Sequence, residues 1–206
     1  MSGRFGAVEH DAVTEILNIA IGQAAASLSR LVGDEVSLSV PFVEFLSPAQ
    51  GAERLDSSTG HVDSVAVRQH FQGGFSGDIL LIFLERNSLD LVRSMLEDTV
   101  PLEQLTDLEQ EALLEVGNII LNACLGSLAN QLGIRIESSL PVCVRGRGAG
   151  ILDSGRVTTE LVLFLQVDFD LATKGVKGYL AFVMDIASAQ AFAEAVEAYV
   201  SRAIAP

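Results

Sequence analysis

The feature that most constrains the fold is an internal repeat, seen when each residue is compared with the residue one hundred positions later. Between Glu15 and Pro41 the two copies align without a gap and share eight identities, including the less common types Asn, Gly and Pro. The identical pairs are Glu15 and Glu115, Asn18 and Asn118, Ile19 and Ile119, Ser27 and Ser127, Leu28 and Leu128, Gly33 and Gly133, Ser39 and Ser139, and Pro41 and Pro141. Self-similarity at a fixed period indicates two copies of one structural unit. We therefore predict a single domain made of two repeats, at residues 1–103 and 104–206.

Apolar periodicity predicts the same elements in both halves. In the first half it indicates a helix at 11–32, strands at 36–46, 64–71 and 77–85, and a short helix at 88–97. In the second half it indicates a helix from a cap at Thr106 or Asp107 to Leu132, strands at 135–144, 158–169 and 177–185, and a helix at 187–203. The predicted apolar stripe of the first helix consists of Val13, Leu17, Ala20, Ala24, Leu28 and Leu31, and Gly33 is its predicted stop.

These elements predict an α+β fold, an α/β sandwich in which each half is helix, three strands and helix. Strands that follow one another through short turns, such as the turn at Gly73 and Gly74, favour mainly antiparallel pairing. Two equal halves bury their shared faces best around a pseudo-twofold axis, like a dimer fused into one chain. Residues 100–104, with Pro101, are the predicted junction.

Composition limits the classes of function. Hydrophobic residues make up 49% of the 206 residues and charged residues 19%, so the chain can bury a sizeable core. The formal net charge of −14 repels phosphate backbones and anionic lipid, which argues against nucleic-acid binding and lipid docking. Apolar runs such as residues 79–84 are far too short to span a bilayer, and residues 1–10 lack the apolar core of a signal peptide. We expect a soluble cytoplasmic protein without membrane insertion.

Several smaller signals indicate no further chemistry. Cys124 and Cys143 lie among apolar neighbours, which favours two buried thiols in a reducing compartment over a disulfide. None of the three histidines has metal-ligand spacing with a cysteine or carboxylate, so no metal site is expected. The glycine-rich segment 145–150 is interpreted as a mobile loop, because no helix is predicted after it to present N–H groups to a phosphate.

Each long predicted helix carries a stripe of acidic and amide residues at positions i, i+4, i+7 and i+11. The stripe consists of Asp11, Glu15, Asn18 and Gly22 in the first copy, and of Glu111, Glu115, Asn118 and Asn122 in the second. The apolar stripe lies on another face, so these residues are not expected to fill the core.

The Glu and Asn of this polar stripe suit the hydrolysis of a phosphoryl group. A glutamate can pair with a partner's Lys or Arg, and a neutral asparagine can hold a water with its carbonyl and donate to a phosphoryl oxygen with its amide. Phosphoryl hydrolysis needs mostly positioning and charge neutralisation. Two other interpretations stay open: the pair is only a solvated helix face, or an interhelix hydrogen bond explains the mid-helix Asn.

With the prolines included, the motif is Asp11, Glu15, Asn18 and Pro41, with three, two and twenty-two intervening residues, and Glu111, Glu115, Asn118 and Pro141 repeat it. This pattern resembles the signature of the CheC/CheX/FliY family of chemotaxis phosphatases, over both long helices and the strands that follow them. Two copies in one chain resemble the CheC type, whereas CheX-like proteins have one active copy and dimerise. The resemblance implies one CheC-like domain with two long helices side by side on the sheet.

The resemblance also implies an activity, the hydrolysis of the aspartyl phosphate of a CheY-type response regulator in chemotaxis or two-component signalling. It implies that Glu15 and Glu115 pair with a lysine of the regulator and that Asn18 and Asn118 orient the attacking water. Mg²⁺ would belong to the phosphorylated regulator, so the chain would need no cofactor or metal of its own. A CheD-type receptor deamidase is a second candidate partner. The alternative is a non-catalytic binding module for a response regulator or for such a deamidase.

The second copy departs from the family at Glu111, where Asp or Ser is usual. The longer side chain would shift local contacts. Our hypothesis at this point is that both sites work and that the second is the weaker one.

Overall fold

Both long predicted helices and most predicted strands are present in a computed structural model of the protein, which describes residues 6–33, 35–40, 43–84, 105–153, 161–171 and 174–204. Within these residues the chain forms five helices and eight strands. In chain order they are α1 (Ala7–Val32), β1 (Val36–Ser39), β2 (Val43–Leu46), α2 (Pro48–Thr59), β3 (Ser64–Gly73), β4 (Gly77–Leu84), α3 (Leu105–Leu132), β5 (Ile136–Ser138), β6 (Val142–Gly146), α4 (Gly148–Leu152), β7 (Leu161–Leu171), β8 (Lys174–Met184) and α5 (Ile186–Ile204).

The strands form one antiparallel sheet in which the two halves are interlocked. Its order is β1-β7-β8-β4-β3-β5, with β2 also paired to β7 and β6 also paired to β3. The short strands of the first half therefore pair with the long β7 of the second half, and those of the second half pair with β3 of the first. The predicted α+β class and antiparallel pairing are confirmed.

The centre of the sheet is the pair β4 and β8, which are equivalent strands of the two halves. Their register is symmetric about its midpoint, where Leu80 faces Ala181 and Leu81 faces Leu180. Antiparallel pairing of equivalent elements is what a twofold axis generates in a symmetric dimer. The two halves are thus joined as the subunits of such a dimer would be.

Alternation along the buried central strands divides the core into two layers. On β4, Ile79, Leu81 and Phe83 contribute to the core beneath α1, α3 and α5. Leu80 and Ile82 point to the opposite face, where α2 and α4 cover a smaller core. A strand buried on both faces needs apolar residues at every position, which explains the continuous run at Ile79–Leu84.

Each half contains four strands where three were predicted, because the predicted strands at 36–46 and 135–144 are each divided in two. Pro141 lies between β5 and β6, and a proline has no N–H to donate to a strand ladder. Ser138 and Val142 are four positions apart in sequence, whereas their partners Phe71 and Arg68 are three positions apart. One extra residue is therefore accommodated here as a β-bulge.

The first half has the same one-residue excess at the equivalent place. Ser39 pairs with Asp168 and Val43 with Leu165, so a step of four positions in the first half again corresponds to a step of three on the partner strand. The break after β1 thus reproduces the break after β5, although Pro41 itself lies outside the described residues.

The helices α2 and α4 were not predicted. α2 begins with a capping box, in which Ser47 Oγ accepts from the Gln50 N–H at 3.4 Å and Gln50 Oε1 accepts from the Ser47 N–H at 3.0 Å. The interpretation of 145–150 as a loop with no following helix is wrong, because the segment completes β6 and starts α4. A five-residue helix is too short to be stable alone, so packing of the buried Ile151 and Leu152 must hold it.

Four smaller expectations also need correction or lie beyond the described residues. Leu31 is 47% exposed and does not belong to the buried stripe of α1. α3 begins at Leu105, so Thr106 and Asp107 lie in its first turn and are not its cap. The predicted helix at 88–97 and junction at 100–104 lie outside the described residues, whereas the stop at Gly33 is confirmed by its left-handed φ of 71°.

One helix contains a longer apolar segment than the uninterrupted apolar runs considered in the sequence analysis. Among the described helices, the segment Gln110–Leu132 of α3 has the length and apolar composition needed to cross a membrane. Half of its most apolar part is buried inside the protein, as in a core helix. The sequence-based estimate missed it because isolated polar residues interrupt the apolar ones.

Neither cysteine forms a disulfide, as predicted, but only one of them is fully buried. Cys124 of α3 is buried, and burial raises the pKa of its thiol to about 12. Cys143 of β6 is half-buried. The thiolate is the reactive form of cysteine, so the two residues should differ in reactivity.

We expect a maleimide at pH 8 to modify Cys143 in the folded protein and to leave Cys124 unmodified. Deprotonation of Cys124 would require a pH near 12 in the folded state, whereas unfolding exposes it. Mass spectrometry before and after addition of denaturant measures this difference, with Cys143→Ser as the control. Equal labelling of both thiols in the folded protein would contradict the burial of Cys124.

Gly117 allows α3 to lie directly on β3. A Cβ at this position would be 2.5 Å from Cγ1 and 2.6 Å from Cβ of Val67, closer than packed carbon atoms approach. We expect Gly117→Ala to lower the free energy of unfolding by about 1–3 kcal/mol, although alanine favours helix.

Gly126 supplies the matched control for Gly117, because it lies on the same helix with nothing within 4 Å of its Cβ position. Gly126→Ala should raise the free energy of unfolding by about 0.5–1 kcal/mol. Urea unfolding of both variants tests the contact. If the two substitutions have the same effect, α3 does not pack on Val67 as closely as described.

Candidate active site

The polar stripe of α1 faces solvent. Asp11, Glu15 and Asn18 are exposed, and Gly22 has open space where a Cβ would project. The opposite side of the helix is buried and consists of Val13, Ile16, Leu17, Ala20, Ile21, Ala24 and Leu28. The helical period of 3.6 residues therefore separates the polar stripe from the core, as predicted.

The stripe of α3 has the same orientation but is partly enclosed. Glu111, Glu115 and Asn122 are exposed, whereas Asn118 is half-buried. The helix buries Leu113, Val116, Ile120, Leu121, Cys124, Leu125, Leu128 and Leu132. The two copies therefore place Glu and Asn alike on their helices but surround the Asn differently.

The two helices that carry the stripes are direct neighbours. The buried Ser127 Oγ of α3 donates to the Ile16 carbonyl of α1 at 3.3 Å. The equivalent Ser27 Oγ donates to the Gln23 carbonyl of its own helix at 3.1 Å. This serine is one of the identities of the repeat, yet only one copy of it joins the helices.

Asn118 belongs to a hydrogen-bond network that has no counterpart at Asn18 among the residues that the structure describes. Asn122 Nδ2 donates to Asn118 Oδ1 at 2.7 Å. Asn122 Oδ1 in turn accepts from Gln69 Nε2 of β3 at 3.2 Å and from Ser138 Oγ at 3.2 Å. Glycine replaces this asparagine at position 22, so α1 has no side chain that could orient Asn18 in the same way.

The repeated glutamates of the two stripes, Glu15 and Glu115, are available for a partner. Within the described part of the chain, neither Glu15 nor Glu115 forms an ion pair or a side-chain hydrogen bond. A cation on another protein could therefore approach either one. The described residues contain no group of three or more His, Cys, Asp or Glu that could hold a metal ion.

Pro141 lies at the β-bulge between β5 and β6, beside the second stripe. Of the residues just before it, Ser138 donates from its Oγ to Asn122 of the stripe, and the Ser139 carbonyl accepts from Gln69 of β3. Leu140 is 86% exposed at this point. The twenty-two residues between Asn118 and Pro141 thus comprise the rest of α3 and the chain through β5, which runs back beside α3. Pro41 lies outside the described residues.

Gln69 was not recognised from the sequence. It is only 2% exposed and lies among Val65, Val67 and Phe71, which are the other residues of β3 that face α3. A polar residue at an inward position of an apolar alternation is a signal that could have identified it. The strand pattern alone would not have named its partner.

Comparison with known proteins agrees with this arrangement. Residues 8–44, which include α1 and the first motif, match the model of the CheC-like family. The chain is 24% identical over 134 residues to a Bacillus subtilis protein named CheY-P phosphatase CheC, and this alignment covers 64% of the chain and 63% of that protein.

Solved structures have a similar fold. FliY from Thermotoga maritima matches with a TM-score of 0.67 at 21% identity, covering 96% of this chain and 98% of that one. A chain of the CheX–CheY complex from Borrelia burgdorferi matches with a TM-score of 0.50 at 18% identity, covering 81% and 96%. At these identities the similarity concerns the fold.

The fold and the stripes define a class of protein, a duplicated α/β domain in which two neighbouring helices on an antiparallel sheet each carry Glu and Asn on a face directed away from the core. The family model and the Bacillus relative support a CheC-like chemotaxis family for this chain, and the solved structures agree in fold.

The exposure of Asn18 predicts that it can be replaced without loss of the fold. We expect Asn18→Ala to raise the free energy of unfolding by about 0.5 kcal/mol, because alanine is the better mid-helix residue. Asn118→Ala should be about 1 kcal/mol less favourable than Asn18→Ala, since it also breaks the bond to Asn122. Urea unfolding of the two variants measures the difference, and equal values would argue against the network.

Proposed function

We propose that the chain is a protein-aspartyl-phosphate phosphatase, a hydrolase that acts in the cytoplasm on a CheY-type response regulator in chemotaxis or two-component signalling. The observation that carries this proposal is the pair of Glu and Asn, one helical turn apart and directed away from the core, on both neighbouring helices. The name of the Bacillus relative and the CheX–CheY complex support the choice of partner.

In the proposed reaction a water oxygen attacks the phosphorus of the regulator's aspartyl phosphate, opposite the bond to the aspartate. The new P–O bond forms as the bond to the aspartate oxygen breaks. The products are the free carboxylate of the regulator and dihydrogen phosphate, which carries both protons of the water until solvent accepts one.

The chain's own groups act by position in this scheme. Glu15 and Glu115 each pair with a lysine of the regulator and fix its orientation on the helix. Asn18 and Asn118 orient the water; a carboxamide can accept and donate hydrogen bonds but cannot serve as a base at ordinary pH. Mg²⁺ would be supplied by the regulator and would neutralise the phosphoryl oxygens, so the scheme needs no metal of the chain's own.

A non-catalytic binding module is the second candidate, with a response regulator or a CheD-type deamidase as its partner. One observation favours it. Asn118 Oδ1 already accepts a hydrogen bond from Asn122, which leaves a single acceptor position for a water. Complex formation without faster phosphate loss would identify a binding module.

We expect phosphate release from a phosphorylated receiver to be accelerated by the unmodified chain and to fall by about 100-fold or more in the double variant Asn18→Ala and Asn118→Ala. Loss of a single preorganised hydrogen-bonding group costs about this much in other hydrolases. Each single variant should retain the activity of the other site. Release is measured with CheY-type receivers from the same organism.

The control for this experiment is the double variant Gln23→Ala and Asn130→Ala, which removes two amides from the same helices outside the stripes. Both residues are exposed. It should keep full activity. A double variant of Asn18 and Asn118 that also keeps full activity would overturn the assignment of these residues.

A further inference from the structure

We propose that Gln69 and Asn122 are positioning residues of the second site, which orient the carboxamide of Asn118 so that its NH2 group is left for the phosphorylated partner. This inference rests on the proposed phosphatase function. It makes the two sites unequal, with the second site the faster one.

The orientation starts from a backbone carbonyl. Gln69 Nε2 donates to the Ser139 carbonyl oxygen at 2.8 Å, and that oxygen can only accept. The same Nε2 donates to Asn122 Oδ1 at 3.2 Å. The reverse orientation of Gln69 would place its Oε1 against two oxygens, so the position of its NH2 group is determined by chemistry as well as by geometry.

The β-bulge provides this carbonyl. The extra residue between β5 and β6 interrupts the ladder, so that the Ser139 carbonyl accepts from a side chain while the Ser139 N–H still donates to the His70 carbonyl at 2.9 Å. The Ser139 carbonyl thus meets a side chain from the buried face of β3. The proline that follows belongs to the motif because it helps to end the ladder at this point.

From Gln69 the orientation is passed to Asn118 in two steps. Asn122 Oδ1 accepts from two donors, Gln69 Nε2 and Ser138 Oγ, so Asn122 must turn its NH2 group the other way. That group donates to Asn118 Oδ1 at 2.7 Å. Asn118 Nδ2 is therefore left as a donor whose direction is fixed before any partner binds.

An amide that is already oriented loses little side-chain freedom when it meets a reacting group, which favours the positioned transition state. Asn18 has no such support, because Gly22 occupies the position of Asn122. The ranking expected from Glu111 alone, with the second site weaker, is thereby reversed.

A purely structural role, in which the network only attaches α3 to β3, predicts a different order of effects for two substitutions of Asn122. Asn122→Asp is nearly isosteric and keeps the oxygen that accepts from Gln69 and Ser138, so it should be milder than Asn122→Ala if the role is structural. A positioning role predicts the opposite. The second carboxylate oxygen would face Asn118 Oδ1, and Asn118 would have to turn its NH2 group inward.

The test uses the full chain with Asn18→Ala, so that only the second site works, and measures kcat and KM for phosphate release from a phosphorylated receiver. We expect kcat to fall about tenfold with Asn122→Ala or Gln69→Leu, comparable to the loss of an outer partner at a metal site. It should fall about a further tenfold with Asn122→Asp, with KM changed much less than kcat.

Gly126→Asp is the matched control for charge, because it adds a carboxylate one turn further along α3 where nothing lies within 4 Å. It should leave kcat within about twofold of its parent. In the complementary background, Asn118→Ala, the substitution Asn122→Ala should not alter the first site. If Asn122→Asp has the same kcat as Gly126→Asp, or a higher kcat than Asn122→Ala, positioning is overturned while the phosphatase assignment stands.

A readout without turnover separates this inference from the proposed function. In the free protein, ¹⁵N relaxation should find the side-chain amide of Asn118 more ordered than that of Asn18, and Gln69→Leu should abolish the difference. Equal order in both asparagines would overturn the proposal whatever the activity. Absence of acceleration by the unmodified chain would instead overturn the phosphatase function that the proposal presupposes.

Discussion

The pairing of β4 with β8 is the interaction on which the rest of the structure depends. These strands are equivalent in the two halves, and their antiparallel register is symmetric about its midpoint. They are buried on both faces, so one pair of strands anchors the helix layer above and the small helices below. Because the halves are related through this pair, α1 and α3 lie side by side and both polar stripes belong to one layer of the molecule.

Much of this architecture could be predicted from the sequence because it depends on the local periodicity of apolar and polar residues. The repeat predicted two equivalent long helices, and helical spacing predicted that Glu15 and Asn18 would lie away from the core. The division of strands at Pro141 and the helices α2 and α4 could not be predicted in the same way. A bulge depends on the register with another strand, and a five-residue helix depends on the core beneath it.

The environment of the candidate site was even less accessible to sequence reasoning. Asn118 and Asn18 are identical in the repeat, and only Gly22 in place of Asn122 indicates that their surroundings differ. The partner of Asn122 comes from β3, in the other half, 53 residues away. A hydrogen bond of this kind is determined by the pairing of strands across the repeats, which spacing within one helix does not contain. The second candidate site is consequently completed by a residue of the first copy, Gln69.

The interlocked sheet also sets the order in which the molecule can be assembled during synthesis. Val36 of β1 pairs with Leu171 of β7, so the first short strands leave the ribosome long before their partner exists. Contacts between residues so far apart in sequence slow folding, and strands with unpaired edges can associate with other chains. Because the two copies are fused, they need not associate from separate chains in solution. The first copy, however, cannot complete its strand pairing until nearly the whole of the second copy has been synthesised.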